Sequence, residues 1–230
     1  MSELNNDPFL FQRQNAAELI LIRHGDAIPG PDEIIPSGIY DNLPLSQKGR
    51  AQARAVTERL KTLHIDVAYS SPLRRCQETA APLIELLKLP LTIVENLKEI
   101  VLGDIVPMPV VKEGDNLEAL TKALQARQEK IISTVGSTGS WDALPDSEPS
   151  KAFRKRVVDA IDEIANNHLG QRVAIFCHGG VINAYVAEAL GLDKEFFFPS
   201  ANTSLTFMRV SGTKRVLYFL NDIAHLRFGE

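Results

Sequence analysis

Three short stretches of this sequence carry groups able to hold an anion and attack it: Arg23-His24-Gly25, Arg74-Arg75 and His178-Gly179-Gly180. Guanidinium forks match phosphate oxygens with paired hydrogen bonds. An imidazole can act near neutral pH as nucleophile, base or donor. Gly25, Gly179 and Gly180 are small enough for backbone N–H groups to approach an oxyanion. Guanidinium charge repels a divalent cation, and no carboxylate stands at ligand spacing, so neither a metal nor an organic cofactor is expected. Taken singly, a histidine after a strand is most often structural, and an arginine pair is most often solvated surface. Three such stretches, each just past a predicted strand, point together to a phosphate site.

The elements that would position them follow an alternating α/β pattern. Residues 19–22 (LILI) read as a buried strand that stops at Arg23. Ser46 reads as the cap of a helix carrying Ala51, Ala55, Val56, Leu60 and Leu63. Residues 65–69 form a second strand, followed by a helix over 73–88, a weaker strand over 91–94, and a helix capped by Ser150. Residues 172–177 (RVAIFC) give the clearest strand, with a helix over 181–190 whose N-terminal dipole would face the same anion. Residues 204–210 and 215–220 read as a hairpin about Ser211-Gly212-Thr213. In open α/β sheets the ligand crevice lies at the carboxyl ends of the strands, which is where the three stretches fall. The expected fold is a three-layer α/β sandwich, with a mostly parallel central sheet flanked by helices.

Residues 1–17 read as an N-terminal extension and 18–230 as one domain. Between 104 and 149 the pattern changes to a Pro-rich entry, one helical stretch over 116–134 and a Gly/Ser/Thr tract over 133–140. That segment reads as an inserted lid. The 230 residues are 44% apolar and 23% charged, which is ordinary globular composition. No apolar run approaches bilayer length, and the polar N-terminus lacks the pattern of a signal peptide. A net charge of -4 removes the electrostatic case for duplex nucleic acid. Cys76 and Cys177 are too few for a disulfide framework, so a cytoplasmic setting is expected. Cys177 reads as packing, His64 and His168 as helix-end residues, His225 as structural, and residues 196–198 (FFF) as an apolar anchor.

The run 21–27 (LIRHGDA) resembles the RHG signature of the histidine phosphatase superfamily, the phosphoglycerate mutase-like proteins. The resemblance continues in order through 43–46 (LPLS), Gly49, 52–53 (QA), 70–80 (SSPLRRCQETA), 97–100 (LKEI), Gly103, 176–182 (FCHGGVI) and 220–226. Six ordered matches across residues 18–226 are far more specific than an isolated RHG. The resemblance implies that His24 is a nucleophile forming a phosphohistidine. It implies phosphate binding by Arg23, Arg74, Gly25 and Gly179, with His178 as a further donor to the transferring group. Arg75 is left open between solvent and substrate. Glu99 is implied as the acid that protonates the leaving oxygen and then activates water, with Asp26 and Asp104 as fallback acids.

The activity implied is that of a metal-independent phosphomonoesterase acting on a small phosphorylated metabolite. Phosphoglycerate mutase chemistry and a non-catalytic phosphate-binding scaffold are the alternatives. Mutases of the family add adjacent arginines from a long insertion. Here residues 104–150 hold four basic against eight acidic residues and no arginine pair. They also place an Asn several residues after RHG, where this chain reads Asp26-Ala27-Ile28-Pro29-Gly30. Both departures favour hydrolysis. The substrate's alcohol and the oligomeric state are not specified by the sequence.

Overall fold

The computed structural model describes residues 15–30, 33, 42–103, 105, 106, 109 and 117–227. The chain runs β1 (Ala17–Arg23), α1 (Gln47–Leu60), β2 (Val67–Ser70), α2 (Arg74–Leu87), β3 (Leu91–Ile93), α3 (Glu118–Thr138), α4 (Ser150–Asn167), β4 (Arg172–Cys177), α5 (Gly179–Leu190), β5 (Leu205–Ser211), β6 (Lys214–Asp222) and α6 (Ala224–Arg227). Short 3₁₀ turns at Glu95–Leu97 and Trp141–Ala143 flank the stretch containing α3. The strands form one six-stranded sheet in the order β3-β2-β4-β1-β5-β6. Pairs β3/β2, β2/β4 and β4/β1 are parallel, while β1/β5 and β5/β6 are antiparallel. The sheet is therefore mixed, with a parallel half and the hairpin that the sequence foresaw.

The unbroken LILI run is explained by burial on both faces of the sheet. Leu19 and Leu21 join Val173, Ile175 and Cys177 against Phe153, Val157 and Ile161 of α4 and Val181, Ile182 and Tyr185 of α5. The alternate residues Ile20 and Ile22 join Ala174 and Phe176 against Val56 and Leu60 of α1 and Cys76, Ala80 and Leu83 of α2. This alternation fixes register, because a slip by one residue would exchange the two sets. Arg23 lies opposite Cys177, and Ser70 opposite Phe176, so the ends of β1, β2 and β4 share one edge.

Several boundaries differ from the sequence reading, each for a local reason. Helix α3 runs through the Gly/Ser/Thr tract to Thr138, because Ser137 and Thr138 hydroxyls turn back onto the Thr134 carbonyl and Val135 is buried. It ends at Gly139, whose φ of 75° suits a residue without a side chain. Ser150 is the first residue of α4 and does not cap it; its Oγ contacts the Ser140 Oγ and accepts from the Asp142 N–H. Helix α5 starts at Gly179, two residues earlier than expected, with His178 as its N-cap residue.

Candidate active site

The turn after β1 is pinned from four directions. The His24 N–H donates to the Cys177 carbonyl (3.0 Å), and the Gly25 N–H donates to Thr79 Oγ1 of α2 (2.9 Å). The Asn202 amide donates to the His24 carbonyl (3.1 Å) and the Thr203 N–H to the Arg23 carbonyl (3.0 Å). Ser46 caps α1 by accepting from the Gly49 N–H, while its own hydroxyl donates to Asp26 Oδ2 at 2.5 Å. Glycine at position 49 is required by close approach: a Cβ there would lie 2.0 Å from the Asp26 carbonyl oxygen.

This framework fixes the chemical state of His24. Its Nδ1 lies 2.7 Å from the Gly25 carbonyl, which can only accept, so Nδ1 carries the proton and Nε2 keeps its lone pair. Burial, reinforced by the Arg75 and Arg23 charges, holds its pKa well below the usual histidine value. The imidazole is therefore neutral at pH 7, as a nucleophile requires. His178 is fully buried and edge-on to it, with ring centroids 5.2 Å apart and 62° between planes. Its pKa is lowered by burial first, then by Arg75, His24 and Arg23. An Arg75 Nη lies 3.4 Å from His178 Nδ1, and Ser71 Oγ lies 2.8 Å from Nε2. Since Arg75 can only donate, Nδ1 accepts and Nε2–H donates to Ser71.

The second cation is a correction. The sequence reading assigned it to Arg74, but that side chain points outward: its Nε donates to Glu78 at 2.5 Å and its backbone N–H to Asn42 Oδ1. Arg75 is the arginine beside His178, and it lines a cavity of about 240 Å³ with Arg23, His24, Asp26 and Asn202. The reason is helical phase: Arg75 and Thr79, four residues apart, share the face toward the His24 turn, whereas Arg74 and Glu78 share the outer one. The arginine at position 23 donates through Nη1 to the Ser200 carbonyl, leaving its buried Nε without a partner among the described residues. That Nε is a donor ready for an anion.

Glu99 reaches the same edge from a different direction. Its Oε2 accepts from the Gly180 N–H and its Oε1 from the Ile100 N–H, both at 3.1 Å. Arg156 of α4 secures this segment by donating to the carbonyls of Asn96, Lys98 and Glu99 while forking onto Glu148. Arg156 is a positioning residue that the sequence reading missed, as is Asn183, whose amide clamps Phe197, Phe198 and Gly179. Each acts through contacts with distant segments, which no local motif announces. Arg127 and Gln128 of α3 also enter the cavity wall, one helical position apart.

Other expectations are refined by the geometry. The N–H groups of Gly25 and Gly180 are used by Thr79 and Glu99, so neither is free to meet an oxyanion as expected. Gly179 faces Arg23 and Ser200, which a Cβ there would meet at ordinary van der Waals distance, and it borders a pocket with Arg23 and Glu99. Asp26 lines the cavity but supports the cap of α1, and Asp104 lies outside the described residues. Burial pushes the Cys76 thiol up to about 12 and holds the Cys177 thiol well above its usual value, so both are poor nucleophiles at neutral pH. Among the described residues no cluster of three or more His, Cys, Asp or Glu side chains is arranged for a metal ion.

A neutral histidine with one free nitrogen beside Arg23 and Arg75, with the Glu99 carboxyl group sharing a neighbouring pocket with Arg23, is the equipment of a phosphoryl-transfer centre working through histidine. Residues 19–223 match the histidine phosphatase superfamily (branch 1), and the chain belongs to that family. It is 29% identical over 214 residues to the metal-independent phosphoserine phosphatase of Arabidopsis thaliana, covering 91% of this chain and 83% of that protein. It is 27% identical over 214 residues to phosphoserine phosphatase 1 of Hydrogenobacter thermophilus, covering 91% and 94%. The structure of YhfR from Bacillus stearothermophilus superposes with a TM-score of 0.69 at 25% identity, covering 92% of this chain and 100% of that one.

Proposed function

We propose that this chain hydrolyses small phosphomonoesters in two steps through a phosphohistidine at His24 Nε2. The observation that carries the reading is the tautomer of His24: Nδ1–H is held on the Gly25 carbonyl, leaving Nε2 unprotonated beside Arg23 and Arg75. In the first step Nε2 attacks phosphorus, the P–O ester bond breaks, and Glu99 gives its proton to the leaving alcohol. In the second step Glu99 takes a proton from water as that water attacks, the N–P bond breaks, and inorganic phosphate leaves. Arg23 and Arg75 hold the equatorial oxygens as charge spreads over them. Gly179 borders the phosphate position. The segment 104–149, through α3, acts as the lid that sorts leaving groups.

Phosphoserine, the substrate named for two relatives, is a first candidate for this chain. A cytoplasmic setting agrees with two free, buried thiols. Among the described residues no helix is long and apolar enough to cross a membrane. The test is phosphoenzyme trapping: brief reaction with ³²P-labelled p-nitrophenyl phosphate in EDTA, followed by an alkaline quench. An alkali-stable, acid-labile label in the wild type and none in His24→Ala is expected, with steady-state turnover falling by ~10³ or more. Equal turnover in the two proteins would overturn the proposal.

A further inference from the structure

Thr203 holds a backbone conformation that its own side chain opposes. Its φ is 54°, in the left-handed region, where a β-branched residue is a genuine outlier. Such a conformation persists only when the surroundings impose it. Here it aims one group: the Thr203 N–H lies 3.0 Å from the Arg23 carbonyl and 3.3 Å from the His24 carbonyl, a donor shared between the two residues. The rest of the turn grips the same pair. The Ser200 carbonyl accepts from the Arg23 guanidinium, the Ser204 carbonyl accepts from the Arg23 N–H (3.2 Å), and the Asn202 amide donates to the His24 carbonyl. Residues 200–204 therefore set both the Arg23 side chain and the backbone that carries the His24 ring.

The turn is imposed from the end of β6 and from α6. Asn221 Oδ1 accepts from the Ala201 N–H (2.8 Å) and its Nδ2 donates to the Pro199 carbonyl (3.3 Å), which ties down the first half of the turn. The second half is held by His225, whose Nε2 lies 3.1 Å from Thr203 Oγ1. Thr203 is fully buried, and its hydroxyl makes this one hydrogen bond among the described residues. The same bond is the only one the imidazole makes among them, since its Nδ1 is buried without a partner. Burial, ahead of the Asp222 and Arg59 charges, holds the His225 pKa below the ordinary histidine value, so the ring is neutral at pH 7. It stands on a braced segment: Asp222 accepts from the Ala224 N–H at 2.8 Å and lies 3.5 Å from Arg59 of α1.

A ring that only filled this space would need no nitrogen, and a phenyl group would avoid sealing Nδ1 from water unpaired. Resting on the phosphatase reading above, we propose that His225 is a positioning residue for the nucleophile. Its bond to the Thr203 hydroxyl keeps the Thr203 N–H on the Arg23 and His24 carbonyls, and so keeps His24 Nε2 where a phosphate held by Arg23 can be attacked. His225 acts through Thr203 and meets no substrate itself. The segment after the last strand thereby becomes part of the catalytic apparatus.

Two variants remove the bond from opposite sides: His225→Phe keeps a ring, and Thr203→Val keeps the β-branch. With p-nitrophenyl phosphate each should lower kcat about tenfold, the scale of a modest misplacement of the reacting group. Asn221 still anchors the half of the turn that meets the Arg23 guanidinium, so KM should stay within about threefold. Because both variants remove one bond, the double variant should fall no more than about twofold below either single. His225→Gln, whose amide nitrogen can reach the same hydroxyl, should keep kcat within about threefold of wild type. Should Thr203→Val not fold, His225→Phe against His225→Gln carries the comparison. Amide hydrogen exchange, read by NMR without substrate, should be at least about tenfold faster at Thr203 in His225→Phe, with the β4 amides unchanged. A kcat within twofold of wild type in His225→Phe, losses that multiply in the double variant, or exchange accelerated equally in β4 would each overturn the proposal. If the wild type hydrolyses no phosphomonoester, the phosphatase reading fails by itself, and His225 is judged by exchange alone. Faster exchange confined to residues 200–204 and the His24 turn would then support its positioning role, and unchanged exchange would overturn it.

Discussion

Replacing Gly180 by alanine separates the fold of this protein from its chemistry. The added Cβ would stand 2.3 Å from Glu99 Oε1 and 3.1 Å from its Cδ. Carbon and oxygen come no closer than roughly 3.2 Å without repulsion, so the carboxylate must withdraw by about 1 Å. The Gly180 N–H bond to Glu99 is then lost, at a cost of ~1.5–3 kcal/mol for a hydrogen bond to a charged group. Alanine within α5 returns ~0.5–1 kcal/mol of backbone entropy, so the net loss of stability should be about 1–2 kcal/mol. A displacement of this size at the acid is worth ~10² in rate. In calorimetry the variant should therefore unfold cooperatively only a few degrees below wild type. Its kcat for glycerol 3-phosphate should fall ~100-fold. With p-nitrophenyl phosphate, whose leaving group needs little protonation, stopped-flow should show a burst of nitrophenol near one per site, followed by slow turnover as water attack loses its base. A kcat within threefold of wild type on the alkyl ester would refute the placement of Glu99 as acid and base.

Two further outcomes follow from the same geometry. Arg75→Ala should lower kcat/KM by ~10³ or more, whereas Arg74→Ala should change it by less than about threefold; the reverse order, read in the same steady-state assay, would restore the sequence-based assignment. His24 and His178 have folded pKa values depressed below the unfolded value near 6.5, so the unfolded chain binds more protons below that pH. Stability of the ligand-free protein should be fully present above pH ~6.5. It should fall as pH drops from there toward the folded values, by ~1.4 kcal/mol per unit for each histidine. Urea titrations at pH 7.5, 6.5 and 5.5 measure that slope, which should be shallower in His24→Ala.

What could be read from sequence follows the range over which each feature is determined. The LILI and VAIFC runs announce two-faced burial by composition alone, because a strand covered on both sides has no polar phase to hide. The hairpin was equally legible, since Gly212 takes a φ of 58° between two β-rich runs. The choice between Arg74 and Arg75 was available in principle. Cys76, Thr79, Ala80 and Leu83 are the buried positions of α2, and Arg75 stands one turn before Thr79 on that side. Arg156 and Asn183 gave no such signal. Each is ordinary in its own helix, and its role exists only where residues 96–99 or 196–198 are brought alongside. The extent of α3 was misjudged because Ser and Thr favour loops when exposed, yet their hydroxyls can also fold back on the preceding turn.

The position of β1 in the sheet has a consequence for synthesis. Both of its neighbours, β4 and β5, come from the last third of the chain. Its partners in β4 leave the ribosome about 150 residues after it, which at 5–20 residues per second is roughly eight to thirty seconds. For that time a strand carrying the unbroken LILI run has two open edges and no sheet to join, which is the condition under which chains aggregate. Nascent chains halted before residue 172 should therefore depend on a chaperone to stay in solution, and release from it should await β4.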